Sequence, residues 1–127
     1  MLDTNAVIGI LKRRPKLLAI LRRHSPSDFG ISAITSHELF FGAYRSDRVD
    51  RNLAETEALA FEVLEFDKED ARLAGVIRAA LAKAGTPIGP YDVLIAGQAR
   101  ARDLVVVTRN VSEFARVAGL RVEDWES

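Results

Sequence analysis

The alternation of short apolar runs with helical segments constrains the fold of this chain more than any other feature of its sequence. Three runs have the length and composition of buried strands, at residues 29–34 (FGISAI), 63–66 (VLEF) and 104–108 (LVVVT). The segments between them place apolar residues at helical spacing. Strands that alternate with helices are typical of an α/β sandwich with a mostly parallel sheet, and we predict that architecture here.

Six helices are predicted around these strands, at residues 5–12, 15–24, 36–45, 48–60, 68–84 and 90–102. The longest helix has one apolar face, which consists of Leu73, Ile77, Ala80, Leu81 and Ala84. A last short strand at 120–122 precedes Trp125, whose ring is expected to close the core. Met1 and Leu2 are too short for the first strand that such a fold needs, so we expect the N-terminus to be clipped.

Composition excludes several classes of protein. The chain has 127 residues and no cysteine, which suits one domain over 1–127 whose core needs no disulfide and no Cys-ligated zinc. Its apolar runs fall far short of the roughly 20 residues that span a bilayer. We therefore expect a soluble, unexported, cytoplasmic protein with no membrane partner.

The 18 basic and 18 acidic residues balance, which argues against non-specific coating of nucleic acid. The balance hides a segregation, because residues 1–51 carry nine Lys or Arg and five acids, whereas 52–70 carry one Lys and seven acids. Local basic surface is therefore available for phosphate groups. Its candidates, each also compatible with a solvated helix face, are Lys12, Arg13, Arg14, Arg22, Arg23, Arg100, Arg102 and Arg109.

Three acidic residues lie where a predicted strand passes into a helix. Asp3 follows the remnant of the first strand, Glu38 follows the run at 29–34, and Asp92 is in the first turn of the helix at 90–102. Functional sites of doubly wound folds form at this edge of the sheet. Each acid also has a structural interpretation: Asp3 as a helix N-cap, Glu38 as the end of a T-x-x-E capping box begun by Thr35, and Asp92 as a first-turn acid.

Three carboxylates at one sheet edge repel one another, by about 1 kcal/mol per pair at 4 Å in water and nearer 4 kcal/mol at an effective dielectric constant of about 20. A hard divalent cation offsets this repulsion, and Mg²⁺ takes oxygen ligands while it keeps several waters. Zinc fits poorly, because His24 and His37 are the only imidazoles and have no metal-ligand spacing. Since Mg²⁺ can activate water beside a phosphodiester, the expected chemistry is phosphodiester hydrolysis.

Five stretches carry a family resemblance that runs in order over nearly the whole chain. They are LDTN (2–5), SAITSHELFFGA (32–43), GTPIGPYDVLIAGQA (85–99), VVVTRNVSEF (105–114) and GLRVEDW (119–125). Together they resemble a PIN-domain ribonuclease of the VapC type, the toxin of a bacterial type II toxin–antitoxin pair. The resemblance implies a PIN-like three-layer α/β/α sandwich. It also implies a homodimer within a toxin–antitoxin hetero-oligomer, a cognate VapB-type antitoxin, and a structured RNA substrate such as a transfer RNA anticodon loop.

The resemblance assigns site residues as well. Asp3 and Asp92 correspond to the magnesium-binding acids of the family, with Mn²⁺ as a substitute, and Glu38 corresponds to the acid that completes the catalytic cluster. Where many PIN domains have a further acid, this chain has TRN at 108–110, which leaves open whether one or two metals act.

Three further residues have two interpretations each. Asn110 orients water or phosphate, or is a turn residue. Glu113 is an outer-shell or second-metal ligand, or a helix-surface acid, and Thr4 positions a ligand or caps a helix. The apolar stretch 38–44 (ELFFGAY) is a candidate surface for the dimer or the antitoxin, although Leu39 and one of the two phenylalanines must face the core.

Two other functions compete with the nuclease. A non-catalytic PIN-like module, acting with its antitoxin in a regulatory nucleic-acid-binding complex, would bind RNA unchanged in EDTA and never cut it. A phosphotransfer or receiver-like domain also places Asp at strand ends. The sequence argues against this last class, because no second Asp lies two residues after Asp3 and only Arg109 follows the last long strand, where such domains have a Lys.

Overall fold

The structure is a computed structural model that describes residues 1–126. Within these residues seven α-helices and four strands follow one another as α1 (Thr4–Leu11), α2 (Pro15–Leu21), β1 (Gly30–Ser32), α3 (Ala33–Arg45), α4 (Val49–Glu57), β2 (Glu62–Leu64), α5 (Lys68–Lys83), α6 (Pro90–Ala101), β3 (Val106–Val107), α7 (Val111–Phe114) and β4 (Val122–Glu123), with a short 3-10 helix (Pro26–Asp28) between α2 and β1. The predicted α/β fold is confirmed. None of these helices is both long enough and apolar enough to cross a bilayer.

A single residue, Leu2, joins two pairs of strands into one parallel sheet. β1 pairs with β2 and β3 pairs with β4, both in parallel. Leu2 forms parallel bridges to Ile31 of β1 on one side and to Val107 of β3 on the other. The strand order is therefore β2, β1, Leu2, β3, β4, and Asp3 follows the central position directly.

Neighbouring residues of the central strands point to opposite faces of the sheet, as the pleat requires. Met1 and Val106 belong to one buried apolar cluster, with Ile95 and Phe114 among its members. Leu2 and Val107 belong to a second cluster, together with residues of α1, α2 and α3. Helices thus cover both faces of the sheet, which confirms the three-layer sandwich. Trp125 is buried in the second cluster, as the sequence predicted.

Helix α5 packs with one face against α6, which is itself buried on most of its sides. The buried residues of α5 are Asp70, Ala74, Ile77 and Leu81. Ala80 and Ala84, which the sequence places on the same apolar face as Ile77 and Leu81, are exposed. Helix α6 approaches α5 at a glycine, since a Cβ on Gly97 would lie 2.5 Å from the backbone N and Cα atoms of Ala74.

The start of α3 also differs from the prediction. The predicted strand at 29–34 ends at Ser32, because the Ser32 hydroxyl accepts a hydrogen bond from the Ile34 amide at 3.0 Å and caps the helix. The T-x-x-E capping box was therefore wrong, and Thr35 lies buried in the first turn. This earlier start brings Glu38 into the second turn of α3.

Candidate active site

Asp3 ends the central position of the sheet and begins α1. Its side chain is buried, with 1% of the residue exposed. Oδ1 accepts a hydrogen bond from the Ala6 amide at 2.8 Å, so Asp3 is the N-cap of α1. Oδ2 accepts a hydrogen bond from the hydroxyl of Thr108, just after β3. Burial and the negative charges of Glu38 and Glu126 raise the pKa of Asp3 to about 6, even though both hydrogen bonds favour the carboxylate.

Glu38 is held beside Asp3 by the first residue of α1. The Thr4 hydroxyl donates a hydrogen bond to Glu38 Oε1 at 2.7 Å, and Thr35 Oγ lies 3.4 Å from Thr4 Oγ. Since Asp3 is the helix cap, Thr4 does not fill that role. Its hydroxyl instead fixes the position of a half-buried carboxylate across the interface between α1 and α3.

Asp92 lies in the first turn of α6, two residues after the Pro90 that begins the helix. Its carboxyl group is half-buried and lies next to Glu113 of α7. Burial and the charge of Glu113, followed by the charges of Asp3 and Glu38, raise the pKa of Asp92 to about 7. The first-turn interpretation of Asp92 is correct, and the same position brings it to the other acids.

Asn110 connects α7 with the end of β3. Its side-chain Nδ2 donates to Glu113 Oε2 at 2.6 Å, and its backbone N–H donates to Thr108 Oγ at 2.9 Å. It occupies the N-cap position of α7, so the turn interpretation holds. The side chain also orients Glu113, which faces Asp92 rather than lying on an isolated helix surface.

The fold gathers these side chains at one end of the sheet. The charge of Asp92 responds to Asp3, Glu38 and Glu113, which come from three other segments of the chain. Within residues 1–126, however, no three His, Asp or Glu side chains are close enough to hold a metal ion as they stand. The acids therefore share one electrostatic environment without forming a closed shell of ligands.

Thr108 is a site residue that the sequence analysis missed. It is buried, with 1% exposed, and bonds Asp3 from the far end of the chain. The available signal was its position, because it is the polar residue that ends the strongest predicted strand. Sequence alone paired it with no particular acid.

Neither histidine joins an acid cluster. His24 is exposed, and its ring stacks on Trp125 at a centroid distance of 5.3 Å and an interplanar angle of 7°. His37 is exposed on α3, 5.7 Å from the Tyr91 ring, where both line a cavity of about 340 Å³ that also includes Thr4 and Glu38. A metal centre built on these imidazoles is not supported.

The apolar stretch 38–44 divides between core and surface as predicted. Leu39 is 6% exposed and Phe40 is half-buried. Phe41 and Tyr44 are 57% and 65% exposed, and the Arg45 guanidinium lies over the Phe41 ring at 5.3 Å. An aromatic surface therefore borders the Glu38 side of the acids.

Comparisons with known proteins agree over nearly the whole chain. The PIN domain family model matches residues 1–120. A protein of Salmonella typhimurium named tRNA(fMet)-specific endonuclease VapC is 47% identical over 127 residues, which cover 98% of this chain and 96% of that protein. Ribonuclease VapC2 of Haemophilus influenzae is 41% identical over 129 residues, with the same coverage of each chain.

Solved structures show the same relationship. DNA-bound VapBC from Salmonella typhimurium matches with a TM-score of 0.91 and 44% identity over 98% of this chain and 96% of that chain. VapBC-1 from nontypeable Haemophilus influenzae matches with a TM-score of 0.89 and 34% identity over 100% of this chain and 98% of that chain.

Proposed function

The chain belongs to the PIN-domain family, among the VapC ribonuclease toxins of VapBC pairs, and on that premise we propose that it is a magnesium-dependent endoribonuclease that hydrolyses structured RNA. The observation that carries the proposal is the meeting of Asp3 and Asp92 with Glu38 and Glu113 at one end of the sheet. Burial and mutual repulsion raise the pKa of both aspartates well above the usual range for a carboxyl group. A cation is the natural partner for such a group of charges.

The donor set fits Mg²⁺ better than a softer metal. All four groups are carboxylates, which are hard oxygen ligands, and Mg²⁺ commonly uses one or two of them with waters and substrate phosphate oxygens. Such a site needs few protein ligands, which Asp3 and Asp92 would supply. Mn²⁺ takes the same ligands and is the expected substitute.

Each residue of the site then has a role. Asp3 and Asp92 are the metal ligands, and Glu38, fixed by Thr4, completes the cluster and orients the attacking water. Glu113, oriented by Asn110, is an outer acid beside Asp92. The bound metal would supply charge neutralisation and water activation at the scissile phosphodiester.

The proposed substrate is an RNA loop. Unstacked bases in loops expose their edges to a protein, whereas a double helix of RNA presents them poorly. The Salmonella typhimurium relative is named for tRNA(fMet), and we extend that substrate class to this chain as transfer RNA anticodon loops.

The partner is a VapB-type antitoxin, because the matching structures are VapBC complexes. An antitoxin arginine suits the carboxylates, since a guanidinium pairs with the same oxygens that a metal would take. We propose also that the toxin is a homodimer within the toxin–antitoxin hetero-oligomer. Exposed Phe41 and Tyr44 support an interface at this surface.

The decisive variant is Asp92→Asn, because it removes a proposed ligand and keeps the shape of the side chain. We expect RNA cleavage to fall on the order of 1,000-fold, since a catalytic metal contributes several kcal/mol to transition-state stabilisation. The assay is cleavage of total transfer RNA by purified, antitoxin-free protein in Mg²⁺.

The matched control is Asp50→Asn, an exposed acid in the first turn of α4. It should cut RNA like the wild type, and circular dichroism should show that both variants are folded. Undiminished cleavage by Asp92→Asn would reject the assigned site. Binding of RNA that is unchanged in EDTA, with no cleavage in Mg²⁺, would instead favour the non-catalytic module.

A further inference from the structure

A polar cleft lies beside the acids, at the start of α7. It has a volume of about 290 Å³ and is lined by Asn5, Arg14, Arg109 and Asn110. Asn5 is two residues from Asp3, and the Asn110 amide donates to the Thr108 hydroxyl that in turn donates to Asp3. The cleft is therefore a direct neighbour of the acids.

The fold separates this cleft from most of the basic residues singled out in the sequence. Arg100 donates to the carbonyl of Ala118, and Arg102 pairs with Asp70 at 2.9 Å. Of the eight candidates, Arg14 and Arg109 are the two that line the cleft. The other two lining residues, Asn5 and Asn110, are neutral amides, so the two arginines are the charged groups of the cleft beside the acids.

One ion pair positions the Arg14 side chain and leaves most of its hydrogen-bond donors free. Its Nη1 bonds Glu126 Oε1 at 2.9 Å, and the Glu126 side chain is only 9% exposed. A guanidinium has five N–H donors, so this single contact leaves most of them free. Glu126 thus positions the guanidinium without using up its capacity to bind an anion.

Arg109 is exposed, and it makes no ion pair with any residue in 1–126. It directly follows Thr108 and precedes Asn110, so the backbone that orders Asp3 also carries this cation. An unpaired arginine next to a pre-oriented arginine, with two amide side chains beside them, is a set of donors suited to a phosphodiester.

We infer that this cleft binds a backbone phosphate of the RNA next to the scissile one, with Arg109 and Arg14 as its cationic contacts. The inference rests on the proposed function, of which it specifies the substrate-binding surface. It gives the negative site a means of holding a negative polymer, because the arginines offset the repulsion between the carboxylates and the RNA. Contacts of this kind fix the register of the RNA and carry no sequence information.

The test measures RNA binding separately from cleavage. In an Asp92→Asn background, a fluorescein-labelled RNA stem-loop is titrated by fluorescence anisotropy at several salt concentrations. Arg109→Ala should weaken binding about tenfold, the loss expected for a charged hydrogen-bonded contact. The slope of log affinity against log salt should fall by about 0.7 for the lost contact with single-stranded RNA. Arg72→Ala, which removes an arginine paired with Glu69 on α5, is the control and should change neither quantity.

Arg14→Lys keeps the charge near Glu126 and tests the second contact without leaving that acid unpaired. Equal affinity and equal salt slope for Arg109→Ala and Arg72→Ala would overturn the inference, as would the absence of RNA binding by the parent. If Arg109→Ala weakens binding but the wild type never cuts RNA in Mg²⁺, the proposed function fails and the cleft stands. If the wild type cuts RNA and Arg109→Ala binds normally, the cleft fails and the function stands.

Discussion

One hydroxyl group organises the end of β3. Thr108 Oγ accepts a hydrogen bond from the Asn110 backbone N–H and donates one to Asp3 Oδ2. The hydroxyl group is therefore both an acceptor and a donor within the protein. Asn110 in turn orients Glu113. A buried threonine thereby links two acids that lie more than a hundred positions apart in the sequence, and we regard it as a positioning residue.

Replacement of this threonine tests that role. Thr108→Val keeps the shape but removes both hydrogen bonds, and groups that orient a metal ligand typically change metal affinity 10- to 100-fold. We expect cleavage by Thr108→Val to need about 10-fold or more Mg²⁺ for half-maximal rate. Loss of the bonds should also lower the free energy of unfolding by about 1–3 kcal/mol, because Asp3 and the Asn110 amide lose a buried partner.

Thr108→Ser is the matched control, since it restores the hydroxyl without the methyl group. It should recover the magnesium dependence of the wild type. A Thr108→Val protein with an unchanged magnesium dependence, measured by initial rates against Mg²⁺ concentration, would show that the hydroxyl is only structural.

The sequence identified the acids because they follow a local rule, and missed Thr108 because its role is not local. Asp3 and Asp92 each lie where a strand or turn passes into a helix, and Glu38 lies in the second turn of the helix that follows β1, which a single sequence can indicate. The hydrogen bond from Thr108 to Asp3 exists only because Leu2 and Val107 are adjacent in the sheet. No spacing or propensity signals that adjacency.

At the scale of elements, the contact between α5 and α6 depends on one absent side chain. A Cβ on Gly97 would lie 2.5 Å from the backbone of Ala74, and backbone cannot move aside as a flexible side chain can. We predict that Gly97→Ala lowers the free energy of unfolding by about 1–3 kcal/mol through overpacking. Urea denaturation gives this value directly.

A second glycine in the same pair of helices gives a control whose substitution should change the free energy of unfolding in the opposite direction. Gly75 is an exposed position of α5, where a new Cβ meets no atom within 4 Å. Gly75→Ala should therefore raise stability by about 0.4–1 kcal/mol, since alanine loses less backbone entropy in a helix. Equal effects of the two substitutions would contradict the close approach at Gly97.

The elements themselves were predictable to different degrees. The helices were found because the helical spacing of their apolar residues is a strong signal, whereas alanines made the buried face of α5 ambiguous. Ala80 and Ala84 have the apolar character of core residues, yet both are exposed, whereas Ala74 and the acid Asp70 are buried. At α3 the sequence suggested a cap at Thr35, whereas the structure caps the helix at Ser32, the last residue of β1.

At the scale of the whole molecule, the acids make stability depend on pH. Asp3 and Asp92 have pKa values raised to about 6 and about 7 in the folded protein, against about 3.9 in an unfolded chain. Between about pH 4 and pH 7 the folded state therefore binds more protons than the unfolded state, so the free energy of unfolding falls as pH rises. We expect the Tm of metal-free protein to be several degrees lower at about pH 7 than at about pH 5.

Magnesium should oppose this trend. In the proposed site the ion would bind the ionised acids of the folded state, and at 100 times its Kd it would add about 2.7 kcal/mol near neutral pH. The double variant Asp3→Asn and Asp92→Asn removes both titrating groups and should give a flatter dependence of Tm on pH that Mg²⁺ does not shift.

Asp70 does not contribute to the change in Tm between about pH 5 and pH 7. It is buried, but Arg102 holds its pKa below the usual value, so its contribution to stability changes only below about pH 4. A metal-free Tm that rises between about pH 5 and pH 7 would contradict the prediction.

The family resemblance implied the three layers of the fold, but nothing in the sequence placed the centre of the sheet. Alternating strands and helices implied a parallel sheet, and the neighbouring residues Val106 and Val107 duly face opposite layers. A two-residue segment at positions 1 and 2 carried too little pattern to be placed. Its position between β1 and β3 is fixed by long-range pairing alone.

The Asp3 carboxylate has a structural role and a proposed catalytic role, and this affects which inactivating substitutions such a protein can accumulate over generations. One oxygen of this carboxylate accepts the hydrogen bond that caps α1 and the other accepts one from Thr108, so most replacements there should weaken the helix start by about 1 kcal/mol as well as remove a proposed metal ligand. Asp92 stands inside a helix that Gly89 and Pro90 begin without it. Lineages in which the protein loses its activity should therefore accumulate inactivating substitutions at Asp92 more readily than at Asp3. The Asp92 variants should still fold and still bind the proposed antitoxin.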